Sequence, residues 1–226
     1  MKNRKSKIAF MVFLISLVCG IAFAIRFPQL FSFNNKKSLD KWREKVFTGR
    51  VLYTVNLVDS GGYLSAQSEK SASGIFYRLS FHAVKKPMVS WKWKVVKFPA
   101  KKSTGDTQEG WIEKDDYAAR VYIIFPSFLF SRTKSLEYVW DKDLPEGLIL
   151  TSPFFENIKI IVAESGENNL GNWVFEERNI REDFKKAFGR EPGVVGAVAI
   201  MTDSDNTIST AEAWYDELRV GYANEE

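Results

Sequence analysis

The sequence predicts an all-β fold, an antiparallel β-sandwich or jelly roll with one short helix. Its main sign is a series of short segments, separated by turn residues, in which apolar residues alternate at hairpin-like spacing. The clearest is MVSWKWKVV, residues 88–96, in which Trp91 and Trp93 alternate with Lys92 and Lys94. Because successive side chains of a strand point to opposite faces, the tryptophans share one face and the lysines the other. This alternation is typical of a half-buried antiparallel strand.

About ten segments have this strand-like character. The turn cluster Asp59-Ser60-Gly61-Gly62 joins the first two of them in a predicted hairpin. The predicted strands are residues 50–58, 61–68, 73–81, 88–96, 117–125, 135–140, 157–165, 172–180, 194–202 and 211–220.

One segment, NIREDFKKAFG, has the periodicity of a helix instead. Its apolar residues from Phe184 to Phe188 fall at i, i+3 and i+4 and form one buried stripe. Asn179 is placed to cap the first turn, and Gly189 to end the last one. The pattern therefore predicts a short helix near residues 180–188.

Composition indicates a globular chain with one domain and a leader. The 226 residues are 45% hydrophobic and 27% charged, which is unlike a disordered chain. The net charge of +4 comes entirely from residues 1–24, which contain four basic residues and no acid. The rest of the chain has 28 basic and 28 acidic residues, so the composition gives no support for nucleic-acid binding.

The first 25 residues have the pattern of an export signal. A basic stretch is followed by residues 8–25, which carry no charge. Ala22-Phe23-Ala24 fits a signal-peptidase site, but the apolar run is also long enough to remain as a membrane anchor. Cys19 follows a valine, which does not fit a lipoprotein signal, so an ordinary apolar cysteine is favoured.

These observations predict three parts: a signal peptide or anchor over 1–25, a connector over 26–47 and a β-sandwich domain over 48–222. We expect a periplasmic protein, either cleaved or tethered to the inner membrane, that contacts the membrane only through its N-terminal segment. The exported part contains no cysteine, so it has neither disulfide nor thiol chemistry.

The segment TDSDNT, residues 202–207, ends a strand with many oxygen-bearing side chains. Asp203, Asp205 and Asn206 are a partial ligand set for Ca²⁺, which binds six to eight oxygens. The alternative is a turn in which these side chains bond their own backbone. Sequence alone leaves both open, with the turn favoured.

A second polar group precedes the predicted strand 117–125. Asp115 and Asp116 are adjacent, so on an extended chain they point to opposite faces. Asp116 and Arg120 are four residues apart and can share a face. A structural ion pair is the favoured interpretation, and a ligand-binding carboxylate with an orienting arginine is the alternative.

Six tryptophans are candidates for stacking on sugars, although the core of a sandwich is the favoured place for most of them: Trp91, Trp93, Trp111, Trp140, Trp173 and Trp214. Trp91 and Trp93 alternate with lysines and are predicted to be buried. Trp111 lies in the polar stretch 97–114 and is the best candidate for an exposed stacking ring. We include Trp140 with it in the predicted ligand site.

Several catalytic chemistries are disfavoured. His82 is the only histidine, which argues against Ser-His-Asp catalysis and against a typical zinc site. A two-carboxylate mechanism, as in glycosidases, is still available. Its candidate residues are Asp115, Asp116, Glu137, Asp203 and Asp205.

Six motifs in register resemble the exported bacterial family DUF3047. They are SASGIFYRL, WKWKV, DDYAARVYIIF, LEYVW, NWVFEERNIREDFKKAFG and AIMTDSDNT…AWYDELRV, and they cover roughly residues 42–220. The resemblance implies export but no particular activity. The strand pattern is also similar to galactose-binding-like and lectin-like jelly rolls, a likeness of fold that does not fix function.

Three functions are compatible with the sequence. The favoured one is a non-catalytic domain that binds a carbohydrate or another envelope component, with Ca²⁺ as its one candidate cofactor. The second is a polysaccharide-acting enzyme with paired carboxylates. The third is a structural interaction domain of the envelope, which would have no concave polar pocket.

Overall fold

The computed structural model describes residues 29–83, 86–101 and 115–222, apart from the side chain of Phe130. Within these ranges, no helix is long and apolar enough to cross a membrane. The strands are β1 (Gln29–Phe31), β2 (Arg43–Thr48), β3 (Leu52–Val58), β4 (Gly61–Glu69), β5 (Ala72–His82), β6 (Pro87–Lys97), β7 (Ala119–Phe125), β8 (Lys134–Asp141), β9 (Ile149–Thr151), β10 (Ile158–Ser165), β11 (Val174–Asn179), β12 (Val194–Asp203) and β13 (Thr210–Tyr222).

The strands form two stacked sheets, so the predicted β-sandwich is confirmed. Sheet A has six strands in the order β11-β6-β13-β4-β3, with β1 paired to β13. Sheet B has seven strands in the order β2-β5-β12-β7-β8-β10-β9. One pair departs from the antiparallel prediction, because β10 runs parallel to β8. A parallel neighbour needs a long connection, and here residues 142–157, which include β9, supply it.

The predicted helix is also present. It is α1, Ile180–Phe188, and Asn179 Oδ1 accepts hydrogen bonds from the backbone N–H groups of Arg181 and Glu182. Gly189 ends it with a φ of 67°, a left-handed conformation that glycine adopts without strain.

Residues 29–48, most of the predicted connector, belong to the sandwich. β1 pairs with β13, and β2 pairs with β5 at the edge of sheet B. Two short 3₁₀ helices are also present, at Lys36–Leu39 and Phe130–Arg132. β2 lacks an alternating pattern because it is an edge strand in which only Phe47 is buried. That side chain packs on the outer face of sheet B, beside Phe76 and Met201.

The core between the sheets contains the aromatic residues that alternation predicted. Trp91 and Trp93 of β6 are buried, and their rings lie 5.2 Å and 6.0 Å from those of Tyr138 and Trp140 of β8. β6 therefore faces β8 across the sandwich.

The strand register gives the sandwich two distinct ends. At the first, Gln29 pairs with Val220, so the N-terminal 28 residues join the fold there; we call this the leader end. Phe125, which pairs with Lys134, is at the same end: it lies beside the start of β12, where Val194 pairs with His82, and the His82 carbonyl accepts the hydroxyl of Tyr222 at the end of β13. At the other, distal end, β6 finishes and β7 begins.

Candidate functional site

Arg120 lies at the centre of a buried charged cluster at the distal end. Its Nε and Nη2 atoms donate to Asp203 Oδ1 and Oδ2 at 2.9 and 2.5 Å, and Nη1 donates to Glu137 Oε1 at 2.6 Å. Nη2 also donates to the Asp115 carbonyl at 2.8 Å. All of these side chains are almost inaccessible to solvent. The guanidinium group thus joins β7 to its two neighbours in sheet B, β12 and β8, and to the segment that leads into β7.

Strand register explains why these residues meet. β7 lies between β12 and β8, with Arg120 opposite Met201 on one side and Val139 on the other. Asp203 follows Met201 by two residues and Glu137 precedes Val139 by two residues, so both side chains lie on the same face as Arg120. The buried charges therefore lie on the outer face of sheet B, where Phe154 and Phe155 help to line the same small pocket.

The carboxylates of Asp115 and Asp116 have different partners, as expected for adjacent residues of an extended chain, whose side chains point to opposite faces. The carboxylate of Asp115 lies 3.7 Å from Arg120 Nη1. Asp116 instead holds the 202–207 turn: it accepts hydrogen bonds from the backbone N–H of Thr207 at 2.6 Å and from the side-chain amide of Asn206 at 3.1 Å. The predicted pairing of Asp116 with Arg120 is therefore replaced by Arg120 with Asp203 and Glu137.

Three carboxylates, those of Asp116, Asp203 and Asp205, come within 4.8 Å of one another, and all three are buried. Asn206 is beside them, but its amide nitrogen points toward Asp115 and Asp116. The oxygen-rich set fits a hard cation in type, with Asp116 in place of the predicted Asn206. Asp203 also accepts the backbone N–H of Tyr117, and Asp116 accepts that of Thr207, so these bonds join the turn to the segment before β7 rather than closing the turn on its own backbone. The calcium hypothesis stays a prediction.

Burial and mutual charge shift the pKa values of the cluster. Burial alone would lower the pKa of Arg120, but Asp203, Tyr122 and Glu137 outweigh it and raise that pKa well above its usual value. Burial raises the pKa of Glu137 despite its contact with Arg120. Tyr122, buried beside both, also has a raised pKa, mainly because of burial. These effects keep Arg120 charged and the tyrosine neutral.

A cavity of about 520 Å³ opens at the distal end beside this cluster. Its walls include Asp116, Tyr117, Trp140 and the Lys101–Asp141 ion pair. A volume of that size is typical of small-molecule sites. The structure thus brings most of the predicted ligand site to one place: Asp115, Asp116 and Arg120 in the cluster, and Trp140 at the cavity wall.

The aromatic rings at the cavity are already covered. Tyr117 has Lys101 Nζ 3.8 Å and the Arg120 guanidinium 4.6 Å from its ring centroid. Trp140 is fully buried, packs on Phe98, and donates its indole N–H to the Gly166 carbonyl. Trp140 is therefore a core residue, not a stacking surface. Trp111 lies outside the described residues.

Exposed aromatic rings lie instead on the outer face of sheet A. Trp214 of β13 stacks on Tyr63 of β4, with ring centroids 4.4 Å apart, and Trp173 lies 6.0 Å from Tyr63. Trp173 is 41% exposed, and Phe175, two residues further along the same extended chain, is 56% exposed. We call these four residues the aromatic strip.

Charged side chains border the aromatic strip. Lys92 pairs in register with Phe175, so both point outward from sheet A. Lys94 is on the same face, with its Nζ 4.5 Å from the Trp214 ring centroid. Glu212 Oε1 accepts the Trp214 indole N–H at 2.8 Å and fixes the orientation of that ring. Flat rings beside hydrogen-bonding groups can contact both the apolar and the hydroxyl faces of a sugar.

Trp173 and Trp214 were among the predicted stacking candidates, with Trp111 favoured, whereas Tyr63 and Phe175 were not predicted. A signal was present in NWVFEE: Trp173, Phe175 and Glu177 alternate with Val174 and Glu176, and the latter two face the other way. Their outward direction depends on the pairing of β11 with β6, two strands that are far apart in the sequence.

Fold and sites together define a two-sheet β-sandwich that buries its charges at one end and exposes aromatic rings on one sheet. The chain belongs to the family described as "Protein of unknown function (DUF3047)", which matches residues 40–219. The resemblance noted in the sequence is thereby confirmed. No curated protein matches the chain.

Solved structures with a similar arrangement of strands include two carbohydrate-binding modules and an enzyme domain. The family 11 module of the cellulase Lic26A-Cel5E of Clostridium thermocellum has 10% identity and a TM-score of 0.45, over 92% of this chain and 99% of that one. The CBM22-1 xylan-binding domain of Xyn10C from Paenibacillus barcinonensis has 13% identity and a TM-score of 0.41, over 90% and 100%. The xyloglucanase domain of NopAA from Sinorhizobium fredii has 10% identity and a TM-score of 0.45, over 80% and 93%. These likenesses are distant, and the fold described above rests on the strands of this chain.

Proposed function

We propose that this protein is a non-catalytic carbohydrate-binding domain and that its aromatic strip is the sugar-binding surface. The observation that carries the proposal is the exposure of Trp173 and Phe175 on the outer side of sheet A. Residues two apart on an extended chain lie about 7 Å apart, a spacing that lets one sugar chain contact both rings. Because exposed aromatic clusters are uncommon on monomeric proteins, they often mark binding surfaces.

The polar groups beside the strip supply hydrogen bonds. Lys94 and Lys92 are donors, although Lys92 also pairs with Glu217 at 2.6 Å. Glu177 and Glu212 are acceptors, and all four residues lie on strands of sheet A rather than on loops. Positions on paired strands are fixed by the ladder, so the surface is formed before a ligand binds. Preorganisation of this kind reduces the entropy lost on binding.

The distal cavity is the competing location for a sugar. It is concave and polar, which argues against the purely structural alternative. However, Tyr117 is covered by Lys101 and Arg120, and Trp140 is buried in the core. A neutral ligand would also have to separate or desolvate the ion pairs of the cavity. We therefore favour the aromatic strip.

The enzyme alternative depends on carboxylates that contact substrate. Its five candidates, Asp115, Asp116, Glu137, Asp203 and Asp205, are all buried among protein groups. Three of them contact Arg120 directly. This arrangement favours a structural role for the cluster over a glycosidase pair, which must reach the glycosidic bond.

We also propose that the domain acts outside the cytoplasm. Support comes from the basic residues followed by the uncharged stretch 8–25. A surface glycan or a free oligosaccharide would then be accessible to the strip.

The test is a screen of the full chain, in detergent, against immobilised oligosaccharides, followed by calorimetry on any that bind. We expect Trp173→Ala to weaken binding about tenfold or more, because it removes an exposed stacking ring. Leu52→Ala is the matched control: Leu52 is exposed on β3, at the opposite edge of sheet A from β11 and Phe175.

The variant Asp143→Ala distinguishes the two locations, since Asp143 lines only the cavity. Loss of affinity in Asp143→Ala, with Trp173→Ala unchanged, would move the site to the cavity. Absence of binding to every oligosaccharide in the panel would count against the function itself.

A further inference from the structure

The loop between β7 and β8 exposes apolar side chains at the leader end of the sandwich. Phe128 is 95% exposed and Leu129 is 48% exposed, and the two are adjacent in the loop. We call them the apolar tip. The loop is anchored at its base, where Thr133 Oγ1 accepts the Ser127 N–H at 3.0 Å. The loop, closed at its base by this hydrogen bond, therefore presents exposed apolar side chains to the surroundings.

Basic residues surround the base of this loop. Lys134 and Lys159 both lie over the ring of Phe188, with Nζ 4.4 and 5.9 Å from its centroid. The pKa of Lys134 is lowered by burial and by the nearby positive charges of Arg190 and Lys159, which Glu156 only partly offsets. These cations are close enough to repel one another, and an anionic partner would relieve the repulsion.

Arg132 adds a further exposed cation within the loop itself. We call Arg132, Lys134, Lys159 and Arg190 the basic rim. Other acids at this end are already neutralised in part: Glu191, for example, pairs with Arg181 and Lys185. An apolar tip beside a basic rim is the composition of protein surfaces that bind anionic bilayers.

The position of the N-terminus points to the same partner. Gln29 enters the fold at the leader end, opposite Val220, and 28 residues precede it. Eighteen of them, residues 8–25, carry no charge. A bilayer that holds this segment would therefore lie next to the apolar tip, whereas the distal cavity would face away.

We propose that the apolar tip and the basic rim form a docking surface for an anionic phospholipid bilayer. Phe128 and Leu129 enter the headgroup region, and the basic rim contacts lipid phosphates. Docking orients the sandwich with its distal end away from the membrane. This inference rests on the charge and exposure of the leader end and does not depend on carbohydrate binding.

The test uses the full chain reconstituted in vesicles, in a Cys19→Ser background that removes the only cysteine. An environment-sensitive dye is attached at Ser131→Cys, an exposed position in the same loop that leaves the apolar tip intact. The matched control carries the dye at Leu52→Cys, which is exposed near the distal end. Vesicles contain phosphatidylcholine alone or with phosphatidylglycerol, plus a lipid that carries a quencher near the headgroup.

We expect strong quenching of the dye at 131 in vesicles with phosphatidylglycerol, weaker quenching without it, and little at 52 in either. High salt should reduce the effect because it screens the basic rim. The double variant Phe128→Ser/Leu129→Ser should lose most of the quenching, and Arg132→Gln/Arg190→Gln should abolish its dependence on phosphatidylglycerol.

Equal quenching at 131 and 52, or no effect of phosphatidylglycerol, would overturn the proposal. A concentration-dependent change of the dye at 131 without lipid would overturn it in favour of contact between two copies of the chain. Neither result affects the oligosaccharide test.

Discussion

Arg120 is the side chain on which the distal end of the sandwich depends. It connects Asp203 of β12 with Glu137 of β8 through a single guanidinium group. Buried ion pairs add little net stability, but removing one partner leaves the others charged and desolvated. The cluster is therefore costly to break.

We predict that Arg120→Met lowers the free energy of unfolding by about 3–5 kcal/mol, measured by urea denaturation. Arg50→Met is the control, because Arg50 pairs with Glu44 on the surface and such pairs contribute about 1 kcal/mol or less. Similar losses of unfolding free energy in the two variants would show that the buried cluster contributes no more to stability than a surface ion pair.

Glu176 makes a separate, pH-dependent contribution. Burial, and then the nearby Glu164, raise its pKa from 4.5 to about 8, although Arg178 opposes the shift. A carboxyl group with a raised pKa keeps its proton in the folded state when the unfolded chain has lost it. Its contribution to stability therefore falls as the pH rises from the ordinary glutamate range to about 8.

Glu176→Gln should accordingly flatten the dependence of Tm on pH in that interval and stabilise the protein at pH 8 relative to wild type. Glu177→Gln is the control, since that neighbouring side chain points outward and is exposed. A wild-type slope retained in Glu176→Gln would mean that other groups cause it.

The calcium prediction depends on Asp116, Asp203 and Asp205. If these carboxylates share a cation, Ca²⁺ stabilises the folded state by mass action. We expect Tm to rise with Ca²⁺ concentration, to fall in chelator and to lose this response in Asp205→Asn. Identical melting in Ca²⁺ and in chelator would leave only the turn interpretation.

At the scale of elements, the chain that follows β1 lies very close to sheet A at Gly62. A Cβ on Gly62 would lie 2.2 Å from the Phe33 carbonyl oxygen and 2.9 Å from that of Asn56. Backbone atoms on both sides prevent an easy shift. Glycine at this point lets the chain after β1 pack against the β3–β4 hairpin.

Gly62→Ala should therefore destabilise the fold by about 1–3 kcal/mol, measured by urea denaturation. The control is Gly193→Ala, at a position where an added Cβ meets no atom within 4 Å. An unchanged urea midpoint in Gly62→Ala would show that the chain after β1 is not packed against the β3–β4 hairpin as described.

The elements differ in how well the sequence predicts them. The predicted bounds of β6 were correct to within one residue at each end, because its tryptophans and lysines alternate without a break. β2 was not predicted, because only Phe47 of this strand is buried and the strand is stabilised by its pairing with β5. Likewise, the residues that surround Arg120 could be named as candidates, but their grouping depends on β7 lying between β12 and β8, which local patterns do not encode.

At the scale of the whole molecule, the proposed sugar-binding surface and the proposed membrane-docking surface are separated. The aromatic strip covers part of one sheet face, the charged cluster closes the distal end, and the leader end carries the apolar tip. A domain docked by its leader end would leave the strip open to solvent along its side. This arrangement suits a protein that holds a glycan close to a membrane.

The most direct test of the central claim is an NMR titration that follows the indole N–H signals with an oligosaccharide identified by the screen. We predict shifts at Trp173 and Trp214, which belong to the aromatic strip, and unchanged signals for the core tryptophans Trp91 and Trp93. Shifts confined to Trp140, at the wall of the distal cavity, would contradict the account.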